Sequence, residues 1–450
     1  MRFSPVLPVL LATSALAAPV PEPGLISSIL SSITNTVNTI LSDLGVTLQT
    51  NGASHGPVWN CYKLTFPQIV VSIERFKHSL IWPKNVNFVD WKTYKANGVN
   101  LGAWLEQEQN YDIDFWNTGA PEAMDEWTWC KTLGPKCGPL LEQRYATWVT
   151  TADIDKLAAT GINTLRIPTT YAAWIDWPES EFYHGNQQKY LRTITNYAIE
   201  KYGMHVIVGL HSLPGGVNSL DIGEAFGHGD WFFNATKLEW SMKAVDGVLS
   251  FFKNSGHLGS FTFAPLNEVS DTHLAGFGSA AGLTTNGTNW VNTYIKACLK
   301  KIAKIDKRIP LMLQDSFQGE PFWSPFYDAG TNIVIDTHIY YFAAAGTYSQ
   351  YVAPAICGQG SAAKGDGKFP VFVGEWSLQT QYNNTLGNRK TLFDTQRYSW
   401  AQYVSGGAFW NIRNKNTVAV DGEGTTGDYW DYMSLIDAGV ATPVTNASYC

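Results

Sequence analysis

Two short stretches place a carboxylate directly after an apolar run: Leu266-Asn267-Glu268 and Gly374-Glu375-Trp376. If both runs are strands of one sheet, the two carboxyls reach the same edge. One can then deliver a proton while the other stays ionised and attacks, the division of labour that cleavage of a glycosidic bond requires. Separation sets the stereochemistry: carboxyl groups about 5–5.5 Å apart give a covalent intermediate and retention, whereas about 6.5–9.5 Å admits a water and gives inversion. Further polar residues lie within or follow other apolar runs: Glu106 and Glu108, Arg166, His211, Gln314 and Asp315, His338 and Tyr340, Trp410 and Asn411. A single polar residue at a strand end is often a cap or loop anchor, and Glu106, Glu108 and Asp315 compete with the Glu268/Glu375 pair for the role of reacting acid.

The remaining side chains have parts that fit such a pair. Arg166 can keep a neighbouring carboxylate ionised and oriented. Tyr340 can donate to the same group, and His211 and His338 can bond substrate or tune the acid. Asn267 stands where it can bind a sugar 2-hydroxyl, and Trp410 offers an apolar floor for a sugar ring.

Eight apolar runs, at 99–102, 164–167, 206–210, 262–265, 310–313, 333–336, 370–373 and 407–409, are expected as strands. Amphipathic spacing between several of them predicts helices over 151–159, 187–202, 239–254, 290–305 and 392–404. Such alternation predicts an α/β fold, a (β/α)8 TIM barrel with long βα loops, whose strand ends gather the residues named above. An open doubly wound sheet is disfavoured because no Gly-rich phosphate turn follows the first strand.

Composition narrows the class of partner. The chain has 450 residues, 45% hydrophobic and 14% aromatic, with 31 Lys plus Arg against 38 Asp plus Glu for a net charge of −7. Mild acidity without basic runs argues against nucleic acid and anionic membranes as partners, and exposed aromatic rings suit a neutral carbohydrate. Residues 1–17 read as a signal peptide, with Arg2, an apolar core and Ala15-Leu16-Ala17 as the cleavage site, so a secreted, extracellular or cell-wall location is expected. Residues 18–95 form an N-terminal extension, helical over about 24–48, and 96–450 the catalytic domain, expected to act as a monomer. Six cysteines suit an oxidising compartment, with Cys130 and Cys137 close enough in sequence to pair. No ligand spacing points to a metal, and no cofactor is expected. Sequons at Asn234, Asn286, Asn383 and Asn446 permit N-glycosylation without arguing for it.

The motifs Asn-Leu-Gly-Ala-Trp-Leu (100–105), Leu-Arg-Ile-Pro (165–168), Leu-His-Ser-Leu-Pro-Gly (210–215), Leu-Asn-Glu (266–268), His-Ile-Tyr (338–340) and Gly-Glu-Trp (374–376) occur in an order that resembles glycoside hydrolase family 5, above all its fungal exo-β-1,3-glucanases. The resemblance covers about residues 97–412. It implies Glu268 as acid/base and Glu375 as nucleophile of a retaining β-glucanase, with Arg166, His211, Asn267, His338, Tyr340 and Trp410 as the pocket. Glu108 matches the acid that binds the nonreducing-end glucose. Leu220 and Ala343 stand where those enzymes carry two entrance phenylalanines, with Phe342 or Trp231-Phe232-Phe233 as substitutes. The implied partner is a β-glucan, cut as a glucan exo-1,3-β-glucosidase would cut it; the alternatives are an endo-β-1,6-glucanase and a catalytically silent glucan-binding wall protein. Survival of both glutamates with their supporting residues argues against the last.

Overall fold

The computed structural model of the chain describes residues 88–445 and 447–450. The expected signal peptide, the helix over 24–48, Cys61 and the Asn446 sequon lie outside the described residues.

Eight parallel strands close into a barrel in sequence order, β1 (Ala96–Asn100), β2 (Thr164–Thr169), β3 (His205–Leu210), β4 (Phe261–Ala264), β5 (Leu311–Gln314), β6 (Ile333–His338), β7 (Val371–Trp376) and β8 (Gly406–Phe409), with β1 pairing β8 to complete the ring. Each falls on one of the eight expected runs. β2, β3 and β7 are buried along their whole length, as strands covered on both faces must be, which is why most of β3 and β7 reads as an apolar run.

The main helices are α1 (Glu126–Leu133), α2 (Cys137–Thr147), α3 (Thr151–Ala159), α4 (Gln187–Tyr202), α5 (Ala235–Lys253), α6 (Thr285–Ile305), α7 (Ala353–Ala363) and α8 (Arg389–Tyr403). Helix α3 starts at a capping box in which the Thr150 hydroxyl and the Asp153 carboxylate satisfy each other's backbone N–H groups. The spacing anticipated α5 and α6 four or five residues too late. Their true starts are fixed by side-chain caps, Asn234 accepting from Lys237 N at 3.2 Å and Thr284 from Gly287 N at 3.0 Å, which apolar periodicity does not register. Helix α6 buries Val291, Ile295, Cys298 and Ile302 on one face against the barrel. Each fully buried aliphatic side chain of this kind stabilises the fold by about 1.5–3 kcal/mol.

The barrel floor is closed by Trp91, whose indole donates to Thr262 Oγ1 at 2.9 Å and packs edge-on against Phe372. Trp91 and Tyr94, on the extension side of the sequence boundary, pack on this lower layer with Ile207, Met312 and Val334. Cys130 and Cys137 are bonded as expected, and a second disulfide joins Cys357 on α7 to Cys450.

Candidate active site

Every strand-end residue singled out in the sequence lies at the C-terminal end of the barrel, where βα loops converge. Glu268 follows β4 and takes up a left-handed backbone conformation, φ 43°. For a residue with a Cβ this costs on the order of 1–3 kcal/mol and persists only where neighbours over-determine it. Two do so here: Gln314 Oε1 accepts from Glu268 N at 3.0 Å, and Asn218 Nδ2 donates to Glu268 O at 3.0 Å. The strained turn aims the carboxylate inward.

Glu375, on β7, is held at both oxygens. Arg166 Nη1 donates to Oε1 at 2.8 Å and the Tyr340 hydroxyl to Oε2 at 2.8 Å. Arg166 also donates to Asn100 Oδ1 and Asn267 Oδ1, each at 2.9 Å, so one guanidinium orders Glu375 and the residue before Glu268. With its oxygen so committed, the Asn267 amide presents its Nδ2 donor. His338 Nδ1 bonds Glu268 Oε1 at 2.5 Å and lies 3.4 Å from Glu375 Oε2. Beneath them Asp336, fully buried, lies 3.5 Å from Arg166 and 3.6 Å from His338. Only a glycine at 374 leaves room for it, since a Cβ there would come within 1.9 Å of Asp336 Oδ1.

The electrostatics follow from this arrangement. Burial opposes a charge on His338, but the carboxylates of Glu375 and Asp336 and its hydrogen bonds to Asp336 and Glu268 outweigh it and push its pKa up to about 10. Burial pushes the Glu375 carboxyl up, while His338, Arg166 and Tyr340 pull against that and Glu268 adds to it. His211 is driven well below the ordinary histidine value, by burial first and then by the charges of Arg166 and His338, so it serves as a neutral ring. It stacks on Trp410 at 5.6 Å with the planes 18° apart, and the Trp410 indole donates to the Tyr111 hydroxyl. Gly102 permits this placement of Trp410, because a Cβ would sit 2.9 Å from its ring.

Glu106 and Glu108 form a second acidic group at the site. Burial, and then the charge of Asp221 among others, pushes Glu106 up to about 8; burial followed by the charge of Glu106 holds Glu108 well above the ordinary range. Asp315 does not belong to the site. Its carboxylate accepts from Phe317 N at 2.8 Å and Gly319 N at 3.1 Å, so it is a loop anchor. Trp231 and Phe232 are core residues and do not form an entrance. Phe342 does reach the mouth, 40% exposed and packed edge-on against Tyr340 and Trp430, with Trp430 stacked on Tyr340 at 5.1 Å.

Asp336, Tyr111, Asp221 and Trp430 were not picked out from the sequence. Asp336 had a signal, because it stands two residues before His338 on β6 and a strand's period of two turns both inward. Tyr111 and Asp221 come from short 3-10 turns and Trp430 from the end of the short helix Thr426–Trp430, segments too brief to leave an apolar periodicity.

One ligating atom each from Glu268, His338 and Glu375 lie within 4.8 Å of one another. Such a trio can surround a cation, but here His338 Nδ1 is bonded to Glu268 and Arg166 supplies the positive charge against Glu375. A parallel eight-stranded barrel with a buried, cross-bonded carboxylate pair at its C-terminal mouth defines a glycoside hydrolase. Residues 134–417 match the family model "Cellulase (glycosyl hydrolase family 5)", and the chain belongs to that family. It is 46% identical to a rutinosidase from Aspergillus niger, over 79% of this chain and 100% of that one, with a TM-score of 0.78. A probable glucan 1,3-beta-glucosidase A from Aspergillus niger is 28% identical over 66% of this chain and 70% of its own length. Its counterpart from Aspergillus fumigatus is 26% identical over 79% and 89%.

Proposed function

We propose that this chain is a retaining β-glycosidase in which Glu375 is the nucleophile and Glu268 the acid/base, and that its substrate is a rutinoside, a β-glucoside whose glucose carries a second sugar at O6. The mechanism rests on the approach of Glu268 and Glu375, whose oxygens come within 4.8 Å. That spacing suits direct attack by a carboxylate and leaves little room for an intervening water.

Glu375 attacks the anomeric carbon as the bond to the leaving oxygen breaks, and Glu268 gives that oxygen its proton. In the second half, Glu268 takes a proton from water, which attacks the glycosyl–Glu375 ester and restores the β configuration. Arg166 and Tyr340 favour the ionised form of Glu375 before attack. The free Nδ2 of Asn267 bonds the 2-hydroxyl, Trp410 forms the floor, and Glu108 binds hydroxyls at the nonreducing end.

For the substrate, the supporting observation is 46% identity over the full length of the rutinosidase, against 28% for the glucan 1,3-beta-glucosidase. Leu220 and Ala343 replace the two entrance phenylalanines of exo-β-1,3-glucanases, while Phe342 and Trp430 leave an aromatic wall suited to a planar aglycone. The glucan 1,3-beta-glucosidase relatives support a second reading, exo action on β-1,3-glucan. Secretion, supported by the leader at 1–17, suits either substrate. The test is product analysis on rutin, laminarin and pustulan, with the anomer of the new end followed by NMR. Release of the intact disaccharide from rutin with retention is expected. Glucose from laminarin alone would move the substrate to β-1,3-glucan, oligomers from pustulan to an endo-β-1,6 activity, and inversion would overturn the mechanism.

A further inference from the structure

In the loop between β3 and α5, Phe233 is 58% exposed, an unusual place for a phenylalanine, and it holds a left-handed backbone conformation with φ 61°. It forms a wall shared by two surface clefts. One, of about 490 Å³, contains Asn234; the other, of about 310 Å³, is lined by Phe233, Asn286, Asn289, Trp290 and Thr293. Each cleft therefore holds the asparagine of a sequon, Asn234-Ala235-Thr236 in one and Asn286-Gly287-Thr288 in the other. Asn286 is exposed in the first turn of α6, and Trp290 lies four residues on along the same helix face. The Trp290 ring meets Phe233 edge-on at 5.8 Å.

We infer that Asn286 carries an N-linked glycan whose first sugar packs across Trp290 and Phe233. This assignment rests on the reading of residues 1–17 as a secretion signal, because the modification takes place on that route. There the Asn286 amide nitrogen bonds to the anomeric carbon of an N-acetylglucosamine, that carbon's bond to the pyrophosphate of a lipid-linked oligosaccharide donor breaks, and the nitrogen loses one proton. The aromatic pair supplies what sequon statistics do not, a rigid apolar surface matched to the C–H face of a pyranose. It also gives a use to an exposed phenylalanine held in a left-handed backbone conformation.

The enzyme secreted from a fungal host, digested and treated with an N-glycanase in heavy-oxygen water, should show heavy aspartate at position 286. Asn286→Gln should then lower the midpoint temperature of the secreted enzyme by a few degrees in the wild-type background and leave it unchanged in the Trp290→Ala background. The same substitution should have no effect on protein made in a bacterium that attaches no glycan. An unmodified Asn286 in the secreted enzyme, including a glycan confined to Asn234, would overturn the inference. An equal effect of Asn286→Gln with and without Trp290 would overturn the packing. Neither outcome bears on which glycoside is cleaved.

Discussion

His338 Nδ1 lies 2.5 Å from Glu268 Oε1, so the imidazole that bridges toward Glu375 is bonded directly to the carboxyl assigned as the acid/base. Through this contact His338 links the two glutamates, and its charge pulls the Glu375 carboxyl down against the effect of burial.

Because His338 is held at about 10 against an ordinary value of 6.5, the folded enzyme binds this proton more tightly than the unfolded chain. Its contribution to stability is complete below about 6.5 and disappears as pH rises through about 10. Denaturant midpoints should therefore fall over that window in the wild type and fall less in His338→Gln. Identical profiles for the two proteins would show that His338 is not charged in the native state.

The two glutamates should separate by chemical rescue. Glu268→Ala should lose roughly 10²–10⁴-fold in kcat on substrates with poor leaving groups, the range for general acid–base catalysis. Added azide should restore turnover and yield the β-glycosyl azide. Glu375→Ala should be inactive, with azide giving the α-glycosyl product instead. The opposite pairing of products would exchange the two roles.

Tyr340→Phe removes only the 2.8 Å hydrogen bond to Glu375. A hydrogen bond to a charged group contributes about 1.5–3 kcal/mol, so kcat/KM should fall roughly 10- to 150-fold if the bond is fully expressed in the transition state. Thermal stability should barely change. A variant with normal kinetics would leave Arg166 as the residue that orients the nucleophile.

Gly374→Ala places a methyl group 1.9 Å from Asp336 Oδ1 if nothing moves. Asp336 must shift from beneath Arg166 and His338, at a cost of about 1–3 kcal/mol for an overpacked core. Lower stability, reduced activity and an altered alkaline limb of the pH profile should appear together. Retention of full activity would show that Asp336 does not position the site.

The sequence alone carried the barrel and most of the polar residues that gather at its mouth. Eight apolar runs and the helices between them emerged because strands buried on both faces leave an unbroken apolar signature and helices leave a 3.6-residue one. Arg166, His211, Asn267, Glu268, His338, Tyr340, Glu375 and Trp410 were legible because each lies on a strand or just beyond its C-terminal end, so naming the strand names the place. What the tertiary structure decided was which polar residues share a hydrogen bond, since that depends on loops folding back from positions distant in sequence. Asp315 and Glu268 look alike in the sequence, each an acid following a strand, yet Asp315 is turned onto its own loop backbone while Gln314 and Asn218 hold Glu268 in a left-handed turn toward Glu375. The floor under Glu268 and Glu375 has the same origin: Asp336 fits there because Gly374, on the neighbouring strand, has no side chain.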